Sequence, residues 1–223
     1  MKLIEYADGE MMMMDLANIL AGELENALFQ GDKVTFAVPG GTTPGPIFDV
    51  LSGVDLNWAN VRVMLTDERW VPETSDRSNT RLLRQRFLTD RAAAAQLLPL
   101  YANADIPEAV INELEAQIAP ALPIDICLLG MGADMHTASI FPGADQLHEA
   151  LHGDAILVPM RAPGAGEPRI TLSAKVLNAA INKHILIKGN DKREALEAAQ
   201  KLQPEDAPVA AILKGATIHW AES

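Results

Sequence analysis

An imidazole and a carboxylate stand two residues apart in a glycine-rich segment that follows an apolar run. The run is Ile124–Leu129, and the segment Gly130–Gly143 carries Asp134 and His136. A glycine-rich turn after a buried strand lets the backbone approach a ligand closely, and histidine exchanges protons near neutral pH. Asp134 is near enough in sequence to orient the imidazole. We therefore predict an enzyme whose catalytic pair is His136 and Asp134.

A second glycine-rich segment follows the first clear strand pattern. Gly40 and Gly41 allow close backbone approach, Thr42 and Thr43 supply hydroxyl groups, and Pro44 suits the first turn of a helix. Backbone N–H groups at a helix N-terminus bind phosphate, so the segment predicts a phosphate cradle. It lacks the Gly-Lys-Ser/Thr ending of a P-loop, and an ordinary turn with threonine caps is the alternative.

Charged residues mark three further strand boundaries. Asp67 and Arg69 follow the run Val61–Leu65, Arg169 opens a short apolar run, and Lys192 lies shortly after another. Arginine binds carboxylate or phosphate through two parallel hydrogen bonds, and Asp67 is suited to a sugar hydroxyl. Solvated surface ion pairs are the alternative. We predict that Arg169 and Lys192 converge on one phosphate, that Arg69 binds a carboxylate or phosphate, and that Asp67 contacts a sugar hydroxyl.

The remaining histidines predict no chemistry. His148 and His152 match the H-E-x-x-H pattern that places two zinc ligands on one helical face. However, the surrounding range 143–153 leaves room for only a short helix, and no third ligand follows in a convincing context, so a solvated helix is the preferred interpretation. His184 and His219 lie in β-like runs and are predicted to be structural histidines.

Dinucleotide binding is not expected. Gly130 and Gly132 follow a strand pattern, but Met135 occupies the position of the third glycine in the dinucleotide fingerprint. A side chain there obstructs the close helix packing that the fingerprint requires. We predict no nicotinamide cofactor.

Composition limits the classes of partner. The 223 residues carry a net charge of −12, which opposes binding to nucleic acid or to an anionic membrane, and an anionic ligand needs a dedicated pocket. Cys127 is the only cysteine, so no disulfide framework forms and a reducing cytoplasm is expected. No segment resembles a signal peptide or is long enough to span a bilayer. We expect one domain covering residues 1–223.

Apolar runs that alternate with helical patterns predict an α/β protein. Alternation of this kind builds a largely parallel sheet, and right-handed crossovers then give a layered α/β/α sandwich with ligands at the carboxyl ends of the strands. The four consecutive methionines that begin at Met11 are predicted to fill core space. The predicted helices are Met11–Phe29 and Arg81–Leu88, and the predicted strands are Val34–Val38, Val61–Leu65, Ile124–Leu129, Ala155–Val158, Ile170–Leu172 and His184–Ile187.

Five segments, in the same order and spread over nearly the whole chain, resemble those of the 6-phosphogluconolactonases. The stretch His136–Gly143 is highly specific for that family within the wider group of hexosamine-6-phosphate deaminase and isomerase-like folds. The other parts of the resemblance lie at Gly40–Pro44, Asp67–Arg69, Pro168–Leu172 and Gly189–Lys192, together with the glycine-rich lead-in from Gly130.

The resemblance implies a Rossmann-like sandwich with a mostly parallel sheet. It also implies a cytoplasmic enzyme of the pentose phosphate pathway that hydrolyses 6-phospho-D-glucono-1,5-lactone to 6-phosphogluconate without a metal or cofactor. We expect a monomer or homodimer whose partner is a phosphorylated sugar lactone. On this interpretation His136 activates a water as general base and Asp134 orients it, while the substrate contacts Gly40, Gly41, Thr42, Thr43, Asp67, Arg69, Arg169 and Lys192.

The chain departs from the family pattern at three positions. Ala133 and Met135 stand where many members have proline and glycine, and Thr66 stands where glycine is usual. A hexosamine-6-phosphate deaminase, the nearest alternative, is implied to use a carboxylate soon after the histidine, and that position here is Phe141. An apolar ring cannot move protons. A sugar-phosphate-binding regulator without catalysis is the alternative from another class.

Overall fold

The computed structural model describes residues 1–223 and contains ten strands. Seven of them form one sheet in which every neighbouring pair is parallel, in the order β1-β10-β9-β6-β2-β3-β5. This confirms the predicted mostly parallel sheet. The strands are β1 (Lys2–Tyr6), β2 (Val34–Val38), β3 (Val61–Leu65), β4 (Asp67–Arg69), β5 (Gln96–Leu98), β6 (Ile126–Gly130), β7 (Leu157–Met160), β8 (Arg169–Leu172), β9 (Asn182–Lys188) and β10 (Thr217–Ala221).

Seven α-helices flank the sheet, which confirms the predicted α/β/α sandwich. A single cluster of 59 buried apolar residues fills the space between sheet and helices, with β2 buried along its whole length. None of the helices combines the length and apolar character needed to cross a bilayer. The helices are α1 (Gly9–Gln30), α2 (Gly45–Ser52), α3 (Asn79–Arg86), α4 (Ile111–Ile118), α5 (Leu147–His152), α6 (Ala174–Asn178) and α7 (Asn190–Ala199).

The apolar runs predict the central strands well and their ends less well. Val34–Val38 and Val61–Leu65 match β2 and β3 at both ends. The run Ile124–Leu129 becomes β6 two residues later than predicted. Just before β6, the Asp125 side-chain carboxylate accepts a hydrogen bond from the Thr35 N–H of β2 at 2.7 Å. The contact between β2 and β6 therefore involves a side chain at this point.

Three short strands form a separate antiparallel sheet, in the order β4-β8-β7. The runs Ala155–Val158 and Ile170–Leu172 were expected to join the parallel sheet, and that expectation is wrong. They lie in β7 and β8, which pair only with each other and with β4. An apolar run predicts burial, but it does not identify the strand beside it. The small sheet places Asp67–Arg69 opposite Arg169–Thr171.

The strand order reverses direction between β2 and β6. The chain leaves β2 towards β3 on one side, and it leaves β6 towards β9 on the other. Connections that leave neighbouring strands in opposite directions open a crevice outside their carboxyl ends, where α/β proteins bind ligands. The two glycine-rich segments predicted to carry chemistry follow β2 and β6, so both border this crevice.

The methionine run is only half buried. Met12 and Met13 lie in the core, as predicted, whereas Met11 and Met14 are exposed, so the prediction is wrong for those two. Helix α1 begins at Gly9, where the Asp8 carboxylate caps the Met11 N–H at 2.8 Å. A helix turns through 3.6 residues, so four consecutive side chains cannot all face one side.

Two buried histidines form a hydrogen-bonded chain with side chains of α1 and β1. His184 Nε2 lies 2.9 Å from a Glu23 carboxylate oxygen, and His184 Nδ1 lies 3.0 Å from His219 Nε2. His219 Nδ1 lies 2.8 Å from the Tyr6 hydroxyl, which donates to Asp15. The predicted structural role of both histidines is confirmed. Their acidic partner Glu23 lies far away in the sequence and was not expected.

The hydrogen-bonded histidines predict that the protein loses stability in mild acid. Burial, reinforced by His184, lowers the pKa of His219 to about 4, whereas an unfolded histidine titrates near pH 6.5. Between those values the unfolded state binds a proton that the folded state does not, so stability falls as the pH falls, by at most about 1.4 kcal/mol per pH unit. Urea unfolding from pH 7.5 to pH 4.5 measures this slope. His219→Asn should flatten it and the exposed His148→Asn should not.

Candidate active site

A cavity of about 220 Å³ opens at the carboxyl ends of β2 and β6. Eight of the ten predicted site residues line it, and a ninth, Asp134, is hydrogen-bonded to one of them. The tenth, Thr42, is exposed and lines a separate cavity beside α1. The eight lining residues are Gly40, Gly41, Thr43, Asp67, Arg69, His136, Arg169 and Lys192.

His136 and Asp134 form a short side-chain pair. His136 Nδ1 lies 2.5 Å from Asp134 Oδ1, and the side chains are 30% and 55% exposed, respectively. A carboxylate beside Nδ1 favours the tautomer that carries its proton there, which leaves Nε2 with a lone pair. The imidazole is therefore held in the form that can accept a proton in the cavity.

The backbone around His136 is folded back tightly on itself. The Gly132 N–H donates to the His136 carbonyl at 3.0 Å. A Cβ atom at Gly132 would lie 2.3 Å from both Asp134 Oδ1 and His136 Nδ1, so only glycine leaves room for the pair. Met135 has φ +66°, in the left-handed region that favours glycine. The positive φ explains why glycine suits position 135. The Met135 side chain does not line the cavity.

Asp67 is a buried anchor as well as a cavity residue. Its Oδ2 accepts a hydrogen bond of 2.6 Å from the Ser139 hydroxyl, while the Ser139 N–H donates to the Thr171 hydroxyl at 3.2 Å. These contacts attach the segment that carries His136 to β4 and β8. The predicted contact between Asp67 and a sugar hydroxyl stays a prediction, with one carboxylate oxygen already engaged within the protein.

Asn79 lines the cavity and was missed by the sequence analysis. Its side-chain amide donates to the Asp67 carbonyl at 3.1 Å, and a Cβ atom at Gly40 would lie 2.1 Å from its Cγ. The close packing of Gly40 against Asn79 joins the phosphate-cradle segment to α3. The available signal was Ser78, which caps α3 through the Arg81 N–H at 3.1 Å and so places the next residue at the helix start.

The fully buried carboxylate of Glu68 holds α3 in place. It accepts hydrogen bonds from the backbone N–H groups of Asn79 at 2.8 Å, Thr80 at 2.7 Å and Arg69 at 2.7 Å. The hydroxyls of Ser78 and Thr80 also donate to it. Burial raises the pKa of Glu68, while the N–H donors act in the opposite direction. A carboxylate at the first turn of a helix also interacts favourably with the helix dipole.

Two guanidinium groups face each other across the β4–β8 pair. Arg69 and Arg169 are directly opposite in register, and neither forms an ion pair with a carboxylate of the protein. Arg69 donates to the Arg77 carbonyl and Arg169 to the Ala165 carbonyl, but the Nε of each arginine is buried without a partner. Burial, and then the charge of Arg69, lowers the pKa of Arg169.

Like charges directly opposite each other on an antiparallel pair are destabilising, and buried donors without partners add to the cost. An anion that contacts both guanidinium groups would offset the first of these penalties. Lys192, in the first turn of α7, places a third cation at the same cavity. The arrangement is suited to a group that carries more than one negative charge, such as phosphate.

The H-E-x-x-H pattern does not assemble a metal site. His148 and His152 lie on the short helix α5 with ring centroids 5.2 Å apart, and His152 Nε2 contacts a Glu205 carboxylate oxygen at 2.7 Å. No group of three or more histidine, cysteine or acidic side chains converges in a way that could hold a metal ion. The solvated-helix interpretation therefore fits both exposed histidines.

The fold and cavity define an α/β sandwich protein with a strongly charged site at the carboxyl edge of its parallel sheet. The family model for glucosamine-6-phosphate isomerases/6-phosphogluconolactonase matches residues 7–220. The chain belongs to this family.

Individual relatives agree with the family match over most of the chain. A 6-phosphogluconolactonase of Mesorhizobium japonicum is 39% identical, with 97% of this chain and 93% of the relative covered. One from Rhizobium meliloti is also 39% identical, with 92% of each chain covered. The crystal structure of a 6-phosphogluconolactonase from Shewanella baltica matches at TM-score 0.95 and 29% identity, covering 99% of this chain and 97% of that chain.

The opposed guanidiniums predict that inorganic phosphate binds the free protein. Phosphate should raise the thermal unfolding midpoint and should give a saturable heat in calorimetry, because it offsets the like charges of the two guanidinium groups. Arg169→Met should reduce the affinity at least roughly tenfold, as expected for a lost charge-assisted pair. Without phosphate this variant should stay folded, since it removes one of two like charges.

Arg84→Met is the matched control, because Arg84 is exposed and pairs with Glu73 away from the cavity. It should bind phosphate like the unmodified protein. Equal affinity in the Arg169→Met variant would show that the two arginines do not form an anion site.

Proposed function

We propose that this protein hydrolyses 6-phospho-D-glucono-1,5-lactone to 6-phospho-D-gluconate in the pentose phosphate pathway. The observation that carries the proposal is that His136, bonded to Asp134, borders the same cavity as the opposed Arg69 and Arg169. A base at one place and an anion site at another suit a substrate with a reactive carbonyl and a distal phosphate. The names of the relatives support the same reaction.

His136 acts as general base in this proposal. Its Nε2 removes a proton from a water molecule as the water oxygen attacks the lactone carbonyl carbon, and the carbonyl becomes a tetrahedral oxyanion. The oxyanion collapses, the bond to the ring oxygen breaks, and protonated His136 returns the proton to that oxygen. Asp134 keeps the Nδ1 proton in place throughout. General-base assistance of this kind accelerates a reaction roughly 10²- to 10⁴-fold.

The substrate phosphate occupies the cationic part of the cavity. Arg69, Arg169 and Lys192 supply charge, and Gly40, Gly41 and Thr43 supply the close backbone approach and a hydroxyl at the start of α2. Thr42 contributes through its carbonyl, which accepts the Gly45 N–H at 3.1 Å and closes the turn. Its hydroxyl is left out of the proposal because it faces another cavity.

A lactone is an activated ester whose hydrolysis involves no redox step, so the proposal includes neither cofactor nor metal. The protein acts as a monomer or a homodimer in this proposal. One continuous core supports a single domain over residues 1–223. The free, fully buried thiol of Cys127 is compatible with a reducing cytoplasm.

The protein should accelerate lactone hydrolysis well above the spontaneous rate. A pH-stat assay with freshly prepared 6-phospho-D-glucono-1,5-lactone measures the acid released, and the uncatalysed rate is subtracted. Glucosamine 6-phosphate in a parallel ammonia-release assay should give no turnover. A lactone rate equal to background would refute the proposed function, and ammonia release would assign the chain to the deaminase branch of its family.

His136→Asn should lower kcat roughly 10²- to 10⁴-fold while changing the Michaelis constant little, because asparagine keeps a hydrogen-bonding side chain but cannot accept the proton. Asp134→Asn should cause a smaller loss of kcat through the wrong tautomer. His148→Asn, on exposed α5, is the matched control and should retain full activity. Full activity of His136→Asn would exclude the proposed base.

A further inference from the structure

One aromatic side chain contacts both the proposed general base and a proposed phosphate-binding arginine without lining the cavity. Phe141 is half-buried, lies five residues after His136 and packs against the core. It is absent from the residues that line the cavity. Its ring therefore lies beside the side chains that form the cavity wall, where it can support them.

The first contact is with the proposed base. The ring centroids of Phe141 and His136 are 4.4 Å apart and the planes are inclined by 35°. Asp134 fixes one nitrogen of the imidazole but does not prevent the ring from tilting about that hydrogen bond. A flat apolar surface against the ring blocks this tilt on one side. Together the two contacts direct the free Nε2 into the cavity.

The second contact is with the proposed phosphate-binding arginine. The Cζ of Arg169 lies 5.6 Å from the Phe141 ring centroid, within the range of a cation–π interaction. The Arg169 side chain makes only one hydrogen bond within the protein, to the Ala165 carbonyl, and its Nε has none. The aromatic face is therefore an important part of what holds this guanidinium in position while it is opposite Arg69.

We propose that Phe141 is a positioning residue that fixes the geometry between the general base and the phosphate site. This inference rests on the proposed lactonase function. A substrate with its phosphate on Arg169 brings its ring carbonyl within a limited range of distances, and the base must lie within that range. A single ring packed against both His136 and Arg169 sets that distance directly.

Phe141→Leu removes the aromatic face but keeps an apolar side chain of similar bulk. We expect kcat to fall roughly tenfold, because a small displacement of a base is costly, and KM to rise roughly three- to tenfold through the lost cation–π contact. Phe141→Tyr keeps the face and should recover most of both losses. Inorganic phosphate affinity, measured by calorimetry, should weaken in parallel with KM.

Phe29→Leu is the matched control, because Phe29 is 92% exposed at the far end of α1. It should leave kcat, KM and phosphate affinity unchanged. Thermal unfolding establishes that each variant is folded, and Phe141→Met replaces Phe141→Leu if the latter is unfolded.

The outcomes separate this inference from the proposed function. An active unmodified enzyme with unchanged kcat and KM in Phe141→Leu would overturn the role of Phe141 alone. Equal losses in Phe141→Leu and Phe141→Tyr would also overturn it, since the aromatic face would then be irrelevant. No lactonase activity in the unmodified protein would overturn the proposed function and this role with it.

Discussion

The buried carboxylate of Glu68 is the interaction on which the charged wall of the cavity depends. Successive side chains of a strand point to opposite faces, so Glu68 points towards α3 while its neighbours Asp67 and Arg69 point towards the cavity. By accepting the N–H groups of Asn79 and Thr80, Glu68 fixes the start of α3 against β4. Neutralising or removing it would leave several buried donors without a partner, and the cavity wall would lose its support.

The same cavity wall contains two like charges whose repulsion an anionic ligand can offset. Backbone pairing holds Arg69 and Arg169 opposite each other in register, so that only rotation of the side chains can move the two guanidinium groups apart. Asp67 lies two residues from Arg69 and partly offsets the charge, but its carboxylate is also bonded to Ser139. A protein of net charge −12 thus concentrates cations at one place, which favours an anionic ligand there despite the overall repulsion.

The sequence predicts the parts of this site better than the fold that joins them. Apolar runs identify β2 and β3, and eight of the ten site residues predicted from the motifs line the cavity. The antiparallel sheet could not be predicted in the same way, because β4 is the charged triplet Asp67–Arg69 and its burial depends on donors from α3. Asn79 was missed for a related reason: its place depends on packing against Gly40, and no local pattern records that contact.

Strain in the segment around His136 indicates that contacts within the protein fix the position of its imidazole. Met135 and Ala138 both have positive φ, a conformation that costs a residue with a side chain roughly 1–2 kcal/mol. Such strain persists only where surrounding contacts over-determine the backbone. Here the Thr137 hydroxyl donates to the Gly130 carbonyl at 2.9 Å, the Val209 N–H donates to the Met135 carbonyl at 3.0 Å, and Ser139 is bonded to the small sheet. Because these contacts lie within the protein, the imidazole does not depend on a bound ligand for its position.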